Sequence, residues 1–114
     1  MRISFNSLTD ILKCYNPVIL ISRRNDEPIT SVEMLRRDQQ SFHPGWLYMG
    51  KSSDLPERLP AQFPLSITCI EDVPLPEKYR EAPNLNLMLI DREADSIEVF
   101  NEVHNAFAAG RRIE

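Results

Sequence analysis

The chain has 114 residues, which fits one domain and leaves no room for two. Hydrophobic residues make up 42% of it and charged residues 26%, as in an ordinary globular domain and unlike a disordered tail. The net charge of −4 disfavours direct nucleic-acid binding. No apolar run is long enough to span a membrane, and Met1 to Asp10 lack the apolar core of a signal peptide, so we expect a cytoplasmic protein.

The first predicted element is a short helix. Apolar residues recur there at three- and four-residue steps, as on a helix with one buried face. Ser7, with Asp10 three places on, resembles a capping box, and Ser4 is the alternative start. Asn16-Pro17 ends the helix, because proline cannot continue the hydrogen-bond ladder. The apolar stripe comprises Phe5, Leu8, Ile11, Leu12 and Tyr15.

Apolar and β-branched segments predict the strands, at residues 18–21, 29–35, 46–49, 65–70 and 85–90. The first is expected to be buried, and the second, which is weaker, is expected at an edge of the sheet. Pro44-Gly45 predicts a type II turn in which Gly45 takes a positive φ. Gly50 is expected to close the strand that follows this turn.

Further helical signals lie in the second half of the chain. Asp54, with Glu57 three places on, predicts the start of a short helix. Residues 73–84 hold three prolines without an apolar period, which predicts a loop. Asp95 caps the longest helix, and Gly110 is expected to end it. Its stripe, expected to pack on the sheet, comprises Val99, Phe100, Val103, Ala106 and Phe107.

The order of these elements predicts an α/β fold. Strands separated by helical crossovers favour a small mixed or parallel sheet of about four to five strands with helices packed on it. We interpret residues 1–114 as a single α/β domain of this class.

Residues with catalytic or metal-binding chemistry are sparse. None of the three glycines is expected in a phosphate-cradling loop, and there is no Gly-x-Ser-x-Gly elbow. His43 and His104 lack partners at the spacing of a metal site. Glu71 and Asp72 point to opposite faces of a strand, and the two isolated cysteines are expected to be reduced and structural. We therefore predict a protein that is not an enzyme and that has no cofactor and no metal.

The best candidates for a ligand or interface site are three ring-bearing side chains. Trp46 and Tyr48 alternate onto one face of their predicted strand, and His43 lies in the turn before it. Aromatic side chains anchor interfaces, so these residues are candidates to line a groove or pocket. The preferred interpretation is that Trp46 and Tyr48 belong to the core beneath a helix, because large aromatics dominate cores.

Two segments carry a resemblance to a known family. His43-Pro-Gly-Trp-Leu-Tyr-Met-Gly50 resembles the Pro-Gly-x-Leu-Tyr-x-Gly segment in the N-terminal domain of bacterial PucR-type (purine-catabolism-regulator-like) transcription regulators. Residues 97–107 are similar to the helix that closes that domain. The resemblance runs from about Asn16 to the end of the chain. It implies a non-catalytic N-terminal regulatory domain, cut from a longer regulator whose DNA-binding helix-turn-helix lies elsewhere.

That resemblance also implies the partners. They are the other domains of the same polypeptide, a second copy in a homodimer and a small-molecule effector. We expect neither membrane binding nor direct nucleic-acid binding by this domain, in keeping with its composition and charge.

A more distant resemblance is to the N-terminal domain of Mur ligases. There an Asp-Ser-Arg stretch precedes a Pro-Gly and a strand, whereas here Asp38 is followed by Gln39-Gln40, so uridine-nucleotide binding does not carry over. The alternatives are therefore a small-ligand or nucleotide-binding domain of a larger enzyme, and a free-standing adaptor that binds another protein. Likeness of fold alone does not choose among them.

Overall fold

A five-stranded mixed sheet forms the centre of the fold in the computed structural model, which describes residues 3–24, 28–39, 41–57, 59 and 64–113, with side chains to residue 108. Two short 3-10 turns cover Lys13–Tyr15 and Ser52–Asp54. The strands and helices, in chain order, are β1 Ile3–Ser4, α1 Phe5–Leu12, β2 Pro17–Ser22, β3 Pro28–Ile29, β4 Ser31–Met34, β5 Trp46–Lys51, β6 Leu65–Ile70, α2 Glu77–Glu81, β7 Leu85–Ile90 and α3 Ser96–Ile113.

The strands of the sheet lie in the order β2-β7-β6-β5-β4. From β4 to β7 each strand is parallel to the next one along the chain, whereas β2 is antiparallel to β7 at one edge. β1 and β3 form a separate antiparallel pair. Because the parallel strands advance in one direction, right-handed crossovers place all their connections on the same face of the sheet. The predicted α/β class, with a mixed sheet and helices packed on it, is confirmed.

One face of the sheet, here called the helix face, is covered by α1 and α3. Their buried side chains pack against alternate residues of β5 and β7, and burying each large apolar side chain contributes about 1.5–3 kcal/mol. Among the described residues, no helix has the length and apolarity needed to cross a membrane. The buried members of this cluster are Phe5, Leu8, Leu12, Ile29, Leu47, Met49, Ile70, Met88, Ile90, Val99, Val103 and Phe107.

The opposite face, here called the crossover face, is covered by the connections between the parallel strands. Leu35, Leu55 and Tyr79 of these connections pack on the apolar side chains of β6 and β7. Tyr79 lies in α2 and donates its phenolic hydrogen to the carbonyl oxygen of Pro56. Burial raises the pKa of Tyr79 to about 12, so the phenol keeps that proton at neutral pH. The crossover face is therefore a second core.

Short polar side chains cap both long helices. The Ser4 hydroxyl accepts a hydrogen bond from the Ser7 amide at 3.1 Å, so the alternative start of α1 is the one used. Asn16 takes a left-handed φ of 56° and turns the chain into β2. The Asp95 carboxylate accepts from the Ile97 amide at 2.9 Å, which confirms the predicted cap of α3.

Two predictions about strands were wrong. β2 is an edge strand whose side chains alternate between half-buried and exposed, with Val18 48% and Leu20 53% exposed, instead of a buried strand. Gly50 lies within β5 and does not close it.

Three predictions about helices were also wrong. A 3-10 turn ends at Asp54, where a helix was expected to begin. The expected loop at 73–84 contains α2, which is too short to show an apolar period. Helix α3 continues through Gly110 to Ile113.

Candidate functional site

The three predicted site residues lie together at the start of β5. The rings of His43 and Trp46 are tilted with their centres 4.2 Å apart, and those of Trp46 and Tyr48 are 6.3 Å apart. Phe42 adds an edge-to-face contact with Tyr48 at 5.1 Å. The backbone N–H of His43 donates to the Tyr48 hydroxyl at 2.9 Å, which fixes the turn against the strand.

Burial differs sharply among these residues. Tyr48 is 1% exposed, Trp46 is half-buried, and His43 is exposed. Tyr48 and Trp46 pack with the crossover-face cluster, and burial raises the pKa of the Tyr48 phenol. Tyr48 thus acts as a core residue that orders the 42–45 turn, and of the three predicted residues His43 and Trp46 offer ring surface to a partner.

A separate cleft of about 750 Å³ opens at the other end of the parallel strands. It lies where β4, β5 and β6 end, because the carboxyl ends of parallel strands meet at one edge of the sheet, the usual place for ligands in open α/β sheets. Its lining comprises Arg37, Asp38, Gln39, Ser52, Ser53, Leu55, Glu57, Val73 and Pro76.

A hydrogen-bond network joins the loops that follow β5 and β6. The Ser52 hydroxyl, 3% exposed, donates to Asp72 Oδ1 at 2.8 Å and accepts from the Asp72 amide at 3.0 Å. The Ser53 amide donates to Asp72 Oδ1 at 2.8 Å and its hydroxyl to Oδ2 at 2.5 Å. The two serines therefore lie in fixed positions on the wall of the cleft.

The same network sets the ionisation of Asp72. Desolvation acts to raise the pKa of this carboxyl, but the hydrogen bonds from Ser53 and Ser52 outweigh it and hold the pKa below its usual 3.8. A folded-state pKa below the unfolded value stabilises the fold at higher pH, and the contribution is lost as the pH falls through the folded pKa. At neutral pH the carboxylate is ionised and engaged by the two serines.

Gly50 allows the end of β4 to approach β5 closely. A Cβ at this position would lie 3.2 Å from Leu35 Cβ and 3.4 Å from Asp54 Oδ2. The first of these contacts is tighter than ordinary van der Waals packing. The glycine therefore brings the loop after β4, which carries Arg37 to Gln39, beside the loop after β5.

One buried acceptor in the cleft has no protein donor among the described residues. Gln39 Oε1 is buried without a hydrogen-bond partner there, although its amide nitrogen donates to the Ser41 carbonyl at 2.8 Å. A buried acceptor left unpaired costs about 1–3 kcal/mol. Asp38 and Gln39, the residues at which the distant resemblance to Mur ligases was considered, both line the cleft, and Gln40 lies outside the described residues.

The sequence contains a phosphate-loop motif, but the residues of this motif do not form a phosphate-binding loop in the structure. The stretch from Gly45 to Ser52 spells Gly-x-x-x-x-Gly-Lys-Ser, although none of the glycines was expected in such a motif. A P-loop needs these residues in a loop whose amides surround phosphate. Here residues 46–51 form β5, paired with β4 and β6, so their amides belong to the ladder.

None of the described side chains that line the cleft is a histidine or a cysteine. Cys69 is fully buried on the crossover face, and burial raises its thiol pKa to about 12, so it stays protonated. His43 lies at the opposite end of β5 from the cleft, and His104 is exposed on α3. Within the described residues, no three His, Cys, Asp or Glu side chains group as a metal site.

Sequence reasoning missed the cleft because its walls come from three separate loops. One of those loops was assigned wrongly, as a helix from Asp54, whereas Val73 and Pro76 lie in a part of the stretch at 73–84 that is a loop, as expected. The signal that was available is positional: polar residues directly follow the predicted strands at 46–49 and 65–70, and parallel pairing would bring those strand ends together.

No known family has a model that matches this chain, and searches of curated proteins and of solved structures also found no match. The geometry by itself defines a mixed α/β domain with a polar cleft at the carboxyl ends of its parallel strands.

Proposed function

We propose that this chain is a non-catalytic regulatory domain that binds a small polar effector in the cleft, as part of a PucR-like transcription regulator. The observation that carries the proposal is the cleft itself, which lies at the carboxyl ends of β4, β5 and β6. Its volume of about 750 Å³ falls within the range of small-molecule sites. The proposal that this domain is part of a transcription regulator rests on the sequence resemblance.

The lining favours an effector with both hydrogen-bond donors and an anionic group. Arg37 supplies a cation for the anionic group, and guanidinium groups suit carboxylate or phosphate. The carboxylates of Asp38 and Glu57 supply acceptors for N–H or O–H donors. Apolar side chains on the β6 side provide a surface against which one face of such a molecule can pack.

Ligand binding in the cleft would change how the three loops that line it are positioned relative to one another. Arg37 to Gln39 follow β4, Ser52 and Ser53 follow β5, and Val73 follows β6, so one ligand touches three connections. A ligand that favours one arrangement of these loops shifts the domain toward that arrangement, and a neighbouring domain responds to the shift. No catalytic step is needed.

The alternative is a small-ligand domain of a larger enzyme, and the position of Asp38 and Gln39 on the cleft wall favours it as the second candidate. Both candidates use the same cleft. They differ in the remainder of the polypeptide, where a helix-turn-helix domain supports the regulator and an ATPase domain supports the enzyme.

The test is a thermal-shift screen of the chain with amino acids, purines and nucleotides. A true effector at about 100 times its Kd should stabilise the fold by about 2.7 kcal/mol. Arg37→Ala should remove the shift, whereas Arg36→Ala, at an exposed neighbour that does not line the cleft, should keep it. A screen without any shift, or a shift that survives Arg37→Ala, would contradict effector binding in this cleft.

A further inference from the structure

The two edges of the sheet are protected very differently. The β4 edge has only four residues and carries Glu33, two features that discourage pairing with another chain. The β2 edge, Pro17–Ser22, carries no charge; its proline and a bulge between Pro17 and Ile19 lie at one end and leave Ile19 to Ser22 as a regular edge. Among the described residues β2 pairs only with β7, so its outer edge presents free backbone donors and acceptors.

The direction of the β2 backbone groups follows from its last contact with β7. The Arg23 amide donates to the Leu85 carbonyl at 3.3 Å, so Arg23 faces β7. In an antiparallel pair, residues two apart direct their N–H and C=O to the same side. Ile21 therefore also faces β7, and the backbone groups of Leu20 and Ser22 point outward.

The outward edge also carries exposed apolar side chains. Leu20 is 53% exposed and Val18 is 48% exposed, beyond the part of the helix face that α1 and α3 cover. Leu20 is in register with Met88, which is 1% exposed, so burial ends abruptly between neighbouring strands. An uncharged edge with both free backbone groups and apolar side chains is a template for another strand.

We propose that two copies of this chain pair through β2, antiparallel about a two-fold axis at Leu20, and so join their sheets into one. Leu20 then exchanges backbone hydrogen bonds with Leu20 of the partner subunit, and the two side chains cover each other. The Ser22 amide donates to the carbonyl of Val18 of the partner subunit, whereas the N–H of the partner's Val18 takes no part, because the bulge between Pro17 and Ile19 turns it toward β7. A two-fold axis makes this contact self-complementary and closed, so it stops at a dimer.

Charge at the two ends of β2 fits this antiparallel arrangement. Exposed Arg23 and Arg24 follow the Ser22 end. The Pro17 end is acidic, because the Asp91 amide donates to the Asn16 carbonyl at 3.3 Å, and exposed Glu93 lies just beyond. Arg92, the cation between them, already pairs with Glu71 at 3.4 Å. Antiparallel copies bring the basic end of each beside the acidic end of the other, whereas parallel copies would join like charges.

The experiment is sedimentation equilibrium of the chain from about 10 μM to about 1 mM, which spans the Kd values expected of weak pairs. The wild-type chain should approach twice its mass of 13.2 kDa. Leu20→Lys places two like charges directly opposite and should weaken the dimer at least about tenfold. Met34→Lys is the matched control, because Met34 is also 53% exposed but lies on the β4 edge.

Hydrogen exchange locates the contact. The Leu20 and Ser22 amides should exchange more slowly at concentrations where the dimer forms, and Leu20→Lys should abolish that protection while leaving the melting temperature near that of the wild type. A wild-type chain that stays monomeric throughout overturns the proposal. So does a dimer that Met34→Lys weakens as much as Leu20→Lys, or one whose Leu20 and Ser22 amides remain unprotected. None of these outcomes depends on ligand binding, because the cleft lies beside the opposite edge of the sheet.

Discussion

Gly45 adopts a backbone conformation that other residues reach only with strain. Its φ is 81°, which confirms the positive value expected from Pro44-Gly45. A Cβ there would also lie 3.4 Å from Thr30 Oγ1, in the segment that the turn contacts. The Thr30 amide donates to the Gly45 carbonyl at 2.6 Å, so the turn connects β5 to the segment before β4.

Gly45→Ala should therefore lower the free energy of unfolding by about 1–2 kcal/mol, the cost of a left-handed conformation for a residue with a Cβ. Gly45→Asn is the control and should cost less, because asparagine tolerates that conformation. Urea denaturation of the three proteins measures the difference. Equal stability of the alanine variant and the wild type would contradict this explanation of the turn.

The two cysteines should differ in reactivity. Cys69 is fully buried with its pKa raised to about 12, whereas Cys14 is exposed. Since the thiolate is the reactive form, a thiol reagent at pH 8 should modify Cys14 in the native protein and reach Cys69 only after unfolding. Mass spectrometry of the labelled peptides gives the result. Rapid native labelling of Cys69 would show that the crossover face opens far more readily than its packing implies.

At the scale of elements, α3 attaches to the sheet through one stripe. Val99 and Val103 are fully buried, Phe107 is 9% exposed, and Phe100 is only half-buried against the same cluster. The predicted stripe is confirmed, but its members are not equivalent.

Phe107→Ala and Phe100→Ala form a matched pair on one helix. Phe107→Ala should cost about 3 kcal/mol, at the lower limit for a buried ring. Phe100→Ala should cost clearly less, because part of that ring already contacts solvent. Chemical denaturation of both variants tests this order. If the two variants were equally stable, α3 would have to be rotated relative to the packing described.

The local sequence pattern predicted the helices whose apolar residues recur at helical spacing and the strands that are continuous apolar runs. The stripes of α1 and α3 and the runs at β5, β6 and β7 were found in this way. Alternation also placed Trp46 and Tyr48 on one face and Leu47 and Met49 on the other, as the two clusters confirm. The sequence pattern did not predict α2, because its five residues contain too few apolar positions to show a helical period.

The remaining features depend on neighbours that local sequence does not reveal. An apolar run does not show how many strands flank it, so β2 was expected to be buried although it lies at an edge. Ser52 meets Asp72 across 20 residues, only because β5 and β6 pair in parallel. The cleft was missed for the same reason, since its walls are three loops brought together by strand order.

At the scale of the molecule, the basic residues are dispersed. Arg23-Arg24 follow β2 and Arg36-Arg37 follow β4, and these antiparallel strands lie at opposite edges of the sheet. The two doublets thus occupy opposite corners. The side chains of Arg111 and Arg112 lie outside the described residues. On α3 the exposed face presents Glu98 and Glu102, which repel phosphate.

We therefore predict that the chain does not bind duplex DNA, even at about 50 mM salt, where non-specific electrostatic binding is strong. Fluorescence anisotropy with labelled duplex measures this. A variant with Glu98→Lys and Glu102→Lys supplies a positive control, because it places two exposed cations on one helix. Micromolar binding by the wild-type chain that weakens steeply with salt would contradict the prediction.

The pairing of the first helix with the last has a consequence for how the chain folds. Strands β4 to β7 and their crossovers come from one continuous stretch, so the crossover face can assemble from contacts close in sequence. The helix face cannot be completed in this way, because its cluster includes α3, which is the last element described. During synthesis Leu47, Met49 and Met88 stay incompletely covered until α3 has left the ribosome, and exposed apolar surface of this kind promotes aggregation. A nascent chain stopped before Ser96 is therefore the form most dependent on chaperones.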